Sequence, residues 1–256
     1  MKKKKLILVT NDDGIEANGL KALIDTARNL GRIVVVAPEC PQSGMSHAIT
    51  VKKPLEVEKI SEEEGFVFYK CNGTPVDCVK IALNQLLDEA PDIIISGINH
   101  GSNSSSSVFY SGTMGAAIEG CINGIPSVGF SLLSLDPDAD FSASRNVAGK
   151  IIRKVLSNGL PKSICLNVNV PFIPEEKIAG IKVARQTRGL WKEEFDKRTD
   201  PLGRDYYWLT GNFHNTEPDA LDTDEWALKN NYVSIVPLHP DLTCYNTLDI
   251  IKNWDL

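Results

Sequence analysis

The most constraining feature of the chain is a repeated exchange between two hydrophobic periods. Leu6-Ile7-Leu8-Val9 is a short continuous apolar run, the pattern of a strand covered on both faces. Leu20, Leu23, Ile24, Ala27 and Leu30 follow at helical spacing, and Gly31 closes them. Ile33-Val34-Val35-Val36-Ala37 is a second apolar run, ended by Pro38. Strand, helix and strand in quick succession form a βαβ unit, which commits the chain to a parallel sheet.

The exchange continues down the chain. Residues 49–59 and 66–70 read as weaker strands in an antiparallel excursion. Thr74 then caps a helix that has Pro75 in its first position and Asp77 near its positive end. Val76, Val79, Leu83, Leu86 and Leu87 form its apolar stripe. Ile93–Ile95 is a third buried strand, and helical stripes at Met114–Cys121 and Val147–Leu156 flank strands at Ser127–Phe130 and Ile164–Val168. After Asn169 the regular alternation fades into hairpins, loops and a short helix near 219–229.

Composition removes several classes of function. The chain has 256 residues, 42% of them hydrophobic, and a net charge of −6, so it is an ordinary globular chain without the basic face of a dedicated nucleic-acid binder. No apolar run approaches the roughly 18–20 residues that span a bilayer. Met1 and the lysines at 2–5 precede an apolar run too short for a signal peptide, so they read as a solvated flank, with no membrane partner and a cytoplasmic location expected. The six cysteines, Cys40, Cys71, Cys78, Cys121, Cys165 and Cys244, show no C-x-x-C spacing and read as reduced, mostly core residues. P-loop, dinucleotide and elbow-serine motifs are absent.

In open α/β sheets, ligands bind beyond the carboxyl ends of the strands. There the sequence places Asn11-Asp12-Asp13-Gly14, then Gln42-Ser43-Gly44, then Ser96-Gly97-Ile98-Asn99, Asn103 and Ser111-Gly112-Thr113. Asp-Asp-Gly alone reads more readily as an Asx turn capping a helix than as a metal site. With oxygen groups at matching strand ends, two adjacent carboxylates point instead to one divalent cation, Mg²⁺ or Mn²⁺, with Ser43 and Asn99 completing the shell. Ser111-Gly112-Thr113 opens a helix and suits an anion, although helix capping explains it equally. His47 and His100 lie near these motifs in sequence, either as proton donors or as structural residues.

Leu6–Gly14 (LILVTNDDG), Ala37–Gly44 (APECPQSG), Asn72–Asp77 (NGTPVD), Ser96–Gly101 (SGINHG), Tyr110–Thr113 (YSGT) and Val233–Thr243 (VSIVPLHPDLT) stand in the order and spacing of the SurE family. The chain resembles these stationary-phase survival proteins, which are metal-dependent 5′/3′-nucleotidases, from about Lys5 to its end. The resemblance implies Asp12, Asp13, Ser43 and Asn99 as ligands of the cation. It also implies a Rossmann-like, mostly parallel α/β core and a C-terminal segment used in assembly. The implied activity is hydrolysis of nucleoside monophosphates, with polyphosphate a further substrate of some members. The chain departs from the family at Ser105, Ser106 and Ser107, where a glycine and acidic residues are usual; the change removes negative charge near the mouth of the site.

The expected enzyme is therefore a phosphomonoesterase. Asp12 and Asp13 are its catalytic carboxylates; Asn103, Ser111, Gly112 and Thr113 receive the phosphate. Two other readings stay open: a phosphatase working through an aspartyl-phosphate, and a nucleotide-binding module without turnover. Residues 189–256 hold 10 of the 18 aromatic residues, with 6 basic and 13 acidic side chains, so the acidity sits in this final quarter. We expect a catalytic core over 1–188 and an assembly extension over 189–256, building a homodimer or homotetramer.

Overall fold

The computed structural model describes residues 4–255, and Met1, Lys2 and Lys3 of the expected basic flank lie outside the described residues. Strand β1 (Leu6–Thr10) is buried throughout and is followed by α1 (Asn18–Arg28) and β2 (Arg32–Pro38). β3 (Val57–Glu63) and β4 (Phe66–Cys71) form the antiparallel excursion. The strand expected at 49–59 is thus displaced. Its first half is a loop held through Thr50 N–H to the Asp77 carboxylate and through Glu56 N–H to Asn72.

Helix α2 (Pro75–Ile81) opens on a capping box: Thr74 Oγ1 accepts from Asp77 N–H and the Asp77 carboxylate accepts from Thr74 N–H. It runs on into a single π-helical segment over Ala82–Leu86. β5 (Ile93–His100), α3 (Gly112–Ile122), β6 (Ser127–Leu132), α4 (Ser142–Asn158) and β7 (Cys165–Val170) complete the alternating region. β8 (Gly180–Val183), β9 (Gly189–Thr199), β10 (Asp205–Asn215), α5 (Asp224–Lys229), β11 (Tyr232–Leu238) and α6 (Leu248–Lys252) follow.

Nine strands form one sheet in the order β3-β4-β2-β1-β5-β6-β7-β11-β8. β4, β2, β1, β5, β6 and β7 run parallel; β3 and β11 are antiparallel to their inner neighbours. Regular structure therefore persists after Asn169, because β11 returns from the last quarter of the chain to pair with β7. The hairpin β9–β10 pairs only with itself and forms a second, two-stranded sheet.

Alternation along β1 sorts the core into layers. Ile7 and Val9 face the cluster built by Leu20, Leu23 and Ile24 of α1 and Val147, Ile151 and Ile152 of α4. Leu8 faces the other way, into the cluster with Cys78 and Val79 of α2 and Ala116 of α3. Each fully buried aliphatic side chain contributes about 1.5–3 kcal/mol, which fixes the β1 register and the position of the loop that follows it. Cys71, Cys78, Cys121 and Cys165 are buried, as expected of core residues, whereas Cys40 and Cys244 are exposed. No helix among the described residues is long and apolar enough to cross a membrane.

Candidate active site

β1 ends at Thr10, and the next residues bend rather than extend. Asn11 Nδ2 donates to Gly14 O at 2.9 Å and closes the turn, which leaves Asp12 and Asp13 at the carboxyl end of the central strand. The two carboxylates take different partners. Asp12 accepts from Thr113 Oγ1 in the first turn of α3, and Asp13 accepts from the backbone N–H of His100 at the end of β5 at 3.2 Å. Burial and the neighbouring Asp13 charge push the Asp12 carboxyl up to about 6, while Thr113 pulls it back. Burial also raises Asp13, opposed by His100. The chain thus holds two carboxylates where both resist ionisation.

Asn99 reaches this point because β5 does not end at Ile95. It runs on to His100 through a register shift between Ser96 and Asn99. Gly97 sits in the irregular stretch, where a Cβ would lie 2.3 Å from Phe130 O, so no larger residue fits. Asn99 Nδ2 donates to Gly101 O at 2.8 Å, which turns its Oδ1 away as a free acceptor. Ser43 arrives on the loop after β2. Gln42 N–H donates to Asp12 O at 2.7 Å, Ser46 N–H donates to Tyr110 O at 3.1 Å, and His47 Nε2 lies 3.0 Å from Glu119 of α3.

Asp12, Ser43, Asn99, Asn103 and Ser111 line one cleft of about 620 Å³. Thr113 and Gly112 stand directly behind Asp12. Thr113 spends its hydroxyl on the Asp12 carboxylate, and a Cβ on Gly112 would lie 2.8 Å from the Asp12 Cβ. Ser111 caps α3 by accepting from Met114 N–H at 3.0 Å. Asn103 is fixed on three sides: its N–H donates to Asn169, its carbonyl accepts from Asn167, and its Nδ2 donates to Ser131 at 2.8 Å. One Nδ2 hydrogen remains for a ligand.

The two histidines separate. His100 lines the cleft and packs edge-on against Phe141, whereas His47 lines a different groove and is held by Glu119. The serine segment is anchored from the C-terminal part of the chain. Asp224 of α5 accepts from Ser105 N–H at 2.8 Å and from Thr187 N–H at 2.9 Å. Glu225, beside it, accepts from Ser104 Oγ and lines the cleft. A carboxylate therefore does stand at this wall, supplied from a distant segment. Trp191 of β9 and Phe213 of β10, edge to face with centroids 6.0 Å apart, complete the mouth. Sequence reasoning missed Glu225, Trp191 and Phe213; only the late aromatic enrichment hinted at the last two.

The donor set suits a hard divalent cation. Asp12, Ser43 and Asn99 line the same cleft and Asp13 adjoins Asp12, and a positive charge there would relieve the burial and repulsion that raise Asp12. Among the described residues no group of three or more His, Cys, Asp or Glu side chains is placed to hold a metal ion, and the donor set has two carboxylates with two neutral oxygens.

Comparison with known proteins places the chain in a family. Residues 7–193 match the family model described as "Survival protein SurE". The "5'-nucleotidase SurE" of Flavobacterium psychrophilum is 54% identical over 254 residues, covering 99% of this chain and 98% of that protein. The protein of the same name from Christiangramia forsetii is 52% identical over 257 residues, covering 100% and 98%. The crystal structure of the Sure protein from Aquifex aeolicus superposes with a TM-score of 0.83 at 40% identity, covering 96% of this chain and 98% of that one.

Proposed function

Because this chain belongs to the SurE family, we propose that it is a metal-dependent 5′-nucleotidase, hydrolysing nucleoside monophosphates to nucleoside and phosphate. The observation that carries the reading is the buried Asp12 carboxylate, with the half-buried Asp13 beside it, at the carboxyl end of β1, in a cleft that Asp12 lines together with Ser43, Asn99 and Asn103.

Asp12, Asp13, Ser43 Oγ and Asn99 Oδ1 would hold one divalent cation, Mg²⁺ or Mn²⁺. Such a cation supplies Lewis acidity toward a phosphoryl oxygen and acidifies water. The remaining work belongs to the chain. Asp12 orients the attacking water, and Thr113 fixes the Asp12 carboxylate. The free hydrogen of Asn103 Nδ2 receives the phosphoryl charge as it grows, and the N-terminal end of α3 at Gly112 adds its positive dipole from behind Asp12. Water adds to phosphorus, the ester P–O bond breaks, and the nucleoside oxygen takes up a proton. His100 is the histidine that reaches the cleft.

We also propose that residues 189–256 serve assembly into a homodimer or homotetramer. Trp208 and Leu209 on β10 are 59% and 66% exposed, and Leu242, Ile250 and Trp254 are exposed beyond β11. Such a display of apolar side chains calls for a covering partner, here a second copy. Six unpaired cysteines suit a reducing compartment such as the cytoplasm.

The function is tested by phosphate release from a panel of 5′- and 3′-nucleoside monophosphates and a polyphosphate, with Mg²⁺, Mn²⁺ or a chelator. Metal-dependent release from nucleoside monophosphates is expected; release that persists with chelator would overturn the mechanism.

A further inference from the structure

We propose that Glu225 determines specificity by accepting hydrogen bonds from the vicinal hydroxyls of a ribose, so that the site prefers ribonucleotides to 2′-deoxyribonucleotides. This inference rests on the nucleotidase reading and deepens it.

The first ground is position. Glu225 lies in the first turn of α5, and its carboxylate lines the same cleft as Asp12, Asn99 and Asn103. A carboxylate repels a phosphate, so an uncharged, hydrogen-bond-donating part of the substrate must face it. The second ground is what it touches. Oε1 accepts from Ser104 Oγ, and Oε2 has no partner among the described residues. Ser104 Oγ lies 2.6 Å from Ser102 Oγ, which reaches Asn169 Oδ1 at 3.4 Å. Asn169 Oδ1 also accepts from Asn103 N–H at 2.8 Å. Glu225 is thus bonded to Ser104, the residue that follows Asn103, and Asn103 is the residue assigned to the phosphate.

The order along the wall follows from adjacency in the chain. Asn103 and Ser104 are consecutive, so the Glu225 carboxylate stands one residue on from the phosphate contact. Trp191 and Phe213 form the aromatic part of the same cleft. In a nucleotide the sugar lies between phosphate and base. The group beside the phosphate contact is therefore the ribose, and an ionised carboxylate has the two oxygens a vicinal diol requires.

A third observation separates Glu225 from mere scaffolding. The adjacent Asp224 already anchors the loop, through Ser105 N–H and Thr187. Glu225 adds one bond, through Oε1 to Ser104, and its carboxylate also lines the cleft.

The test is kcat/KM for adenosine 5′-monophosphate and its 2′-deoxy counterpart, measured on the wild type, Glu225→Gln and Glu225→Ala. The wild type should favour the ribonucleotide by about tenfold, the scale of one hydrogen bond to a charged acceptor. Glu225→Ala should bring the ratio to within about twofold of one, mainly by loss on the ribonucleotide, with Glu225→Gln between. A wild-type ratio near one overturns the inference, and this outcome needs no variant. So does an equal fall on both substrates, which marks a structural prop for Ser104. So does a change confined to discrimination between adenosine and guanosine nucleotides, which assigns Glu225 to the base. If the wild type releases no phosphate from either substrate, the nucleotidase reading fails. Calorimetric binding of adenosine against 2′-deoxyadenosine then decides the inference: a preference present in the wild type and absent in Glu225→Ala supports it, and no preference overturns it.

Discussion

Thr113 Oγ1 donates a hydrogen bond to Asp12 Oδ1, tying the first turn of α3 to the bend that follows β1. The bond settles where the buried one of two adjacent carboxylates points. It also shows how the charge is tolerated: a fixed donor offsets part of the cost of burial and of the neighbouring Asp13.

That cost sets the first prediction. Asp12 is raised from 3.8 to about 6, so in metal-free protein its contribution to stability is fully present below pH 3.8 and is lost as pH rises through about 6. Above that the charge costs about 3 kcal/mol. Asp12→Asn should lower turnover by about a thousandfold, the scale of removing several kcal/mol of electrostatic stabilisation. After chelator treatment, the same variant should melt about 5 °C or more above wild type at pH 7.5 and show no advantage near pH 4. Scanning calorimetry at both pH values, beside a phosphate-release assay, checks both parts.

Cation binding should stabilise the folded protein by mass action. At a hundred times its dissociation constant the gain is about 2.7 kcal/mol. Thermal unfolding with increasing Mn²⁺ should show a rising midpoint in the wild type and a flat one in Asp13→Asn. A rise of the same size in the variant would remove Asp13 from the ligand set.

Gly112 leaves no room for a methyl group against Asp12, where the Cβ–Cβ separation would be 2.8 Å. Gly112→Ala should cost about 1–3 kcal/mol of stability through overpacking. Because the atom displaced belongs to Asp12, turnover should fall as well, by about tenfold or more. Retention of wild-type turnover would show that the Asp12 position is not critical.

The buried Glu119 carboxylate is held down to about 2, first by its bond to His47 and then by Lys80 and Asn123. A lowered carboxyl contributes stability above its unfolded value of 4.5 and loses it as pH falls through about 2. Lys80 and His47 are partly exposed, so a discounted cost of about 2 kcal/mol is expected for Glu119→Gln at neutral pH. Urea titrations should show the gap between variant and wild type closing between pH 4.5 and pH 2.

Exposed Trp208 and Leu209 on the free-standing hairpin are the natural test of assembly. Trp208→Glu combined with Leu209→Glu should reduce the mass measured by light scattering, with the main sheet intact by circular dichroism. An unchanged mass would show that the hairpin is not the contact.

Much of the fold was legible because the inner strands are covered on both faces and read as unbroken apolar runs. β1 and β2 fall within a residue or two of expectation, and Thr74 and Ser111 cap their helices as their side chains suggest. The exceptions have physical causes. The apolar run ends at Ile95, yet β5 continues past it through an irregular register between Ser96 and Asn99, and that irregularity delivers Asn99. β8 alternates between partial and full exposure at the sheet edge and leaves little hydrophobic signal. Glu225 meets Ser104 across 121 positions in the chain, and no local pattern marks such an encounter. The oxygen donors at the strand ends were readable one by one; their orientation was set by tertiary bonds.

Helix α3 acts as a measuring rod for the whole centre. Its first turn holds Asp12 through Thr113, and two turns further along Glu119 holds His47, on the loop that carries Ser43. The loops may drift in sequence as long as both marks on the rod stay in phase. One residue inserted between Thr113 and Glu119 would rotate the second mark by about 100° and release the Ser43 loop from its gauge. The spacing of these two residues, rather than the length of any loop, is therefore the dimension that natural variation should leave alone.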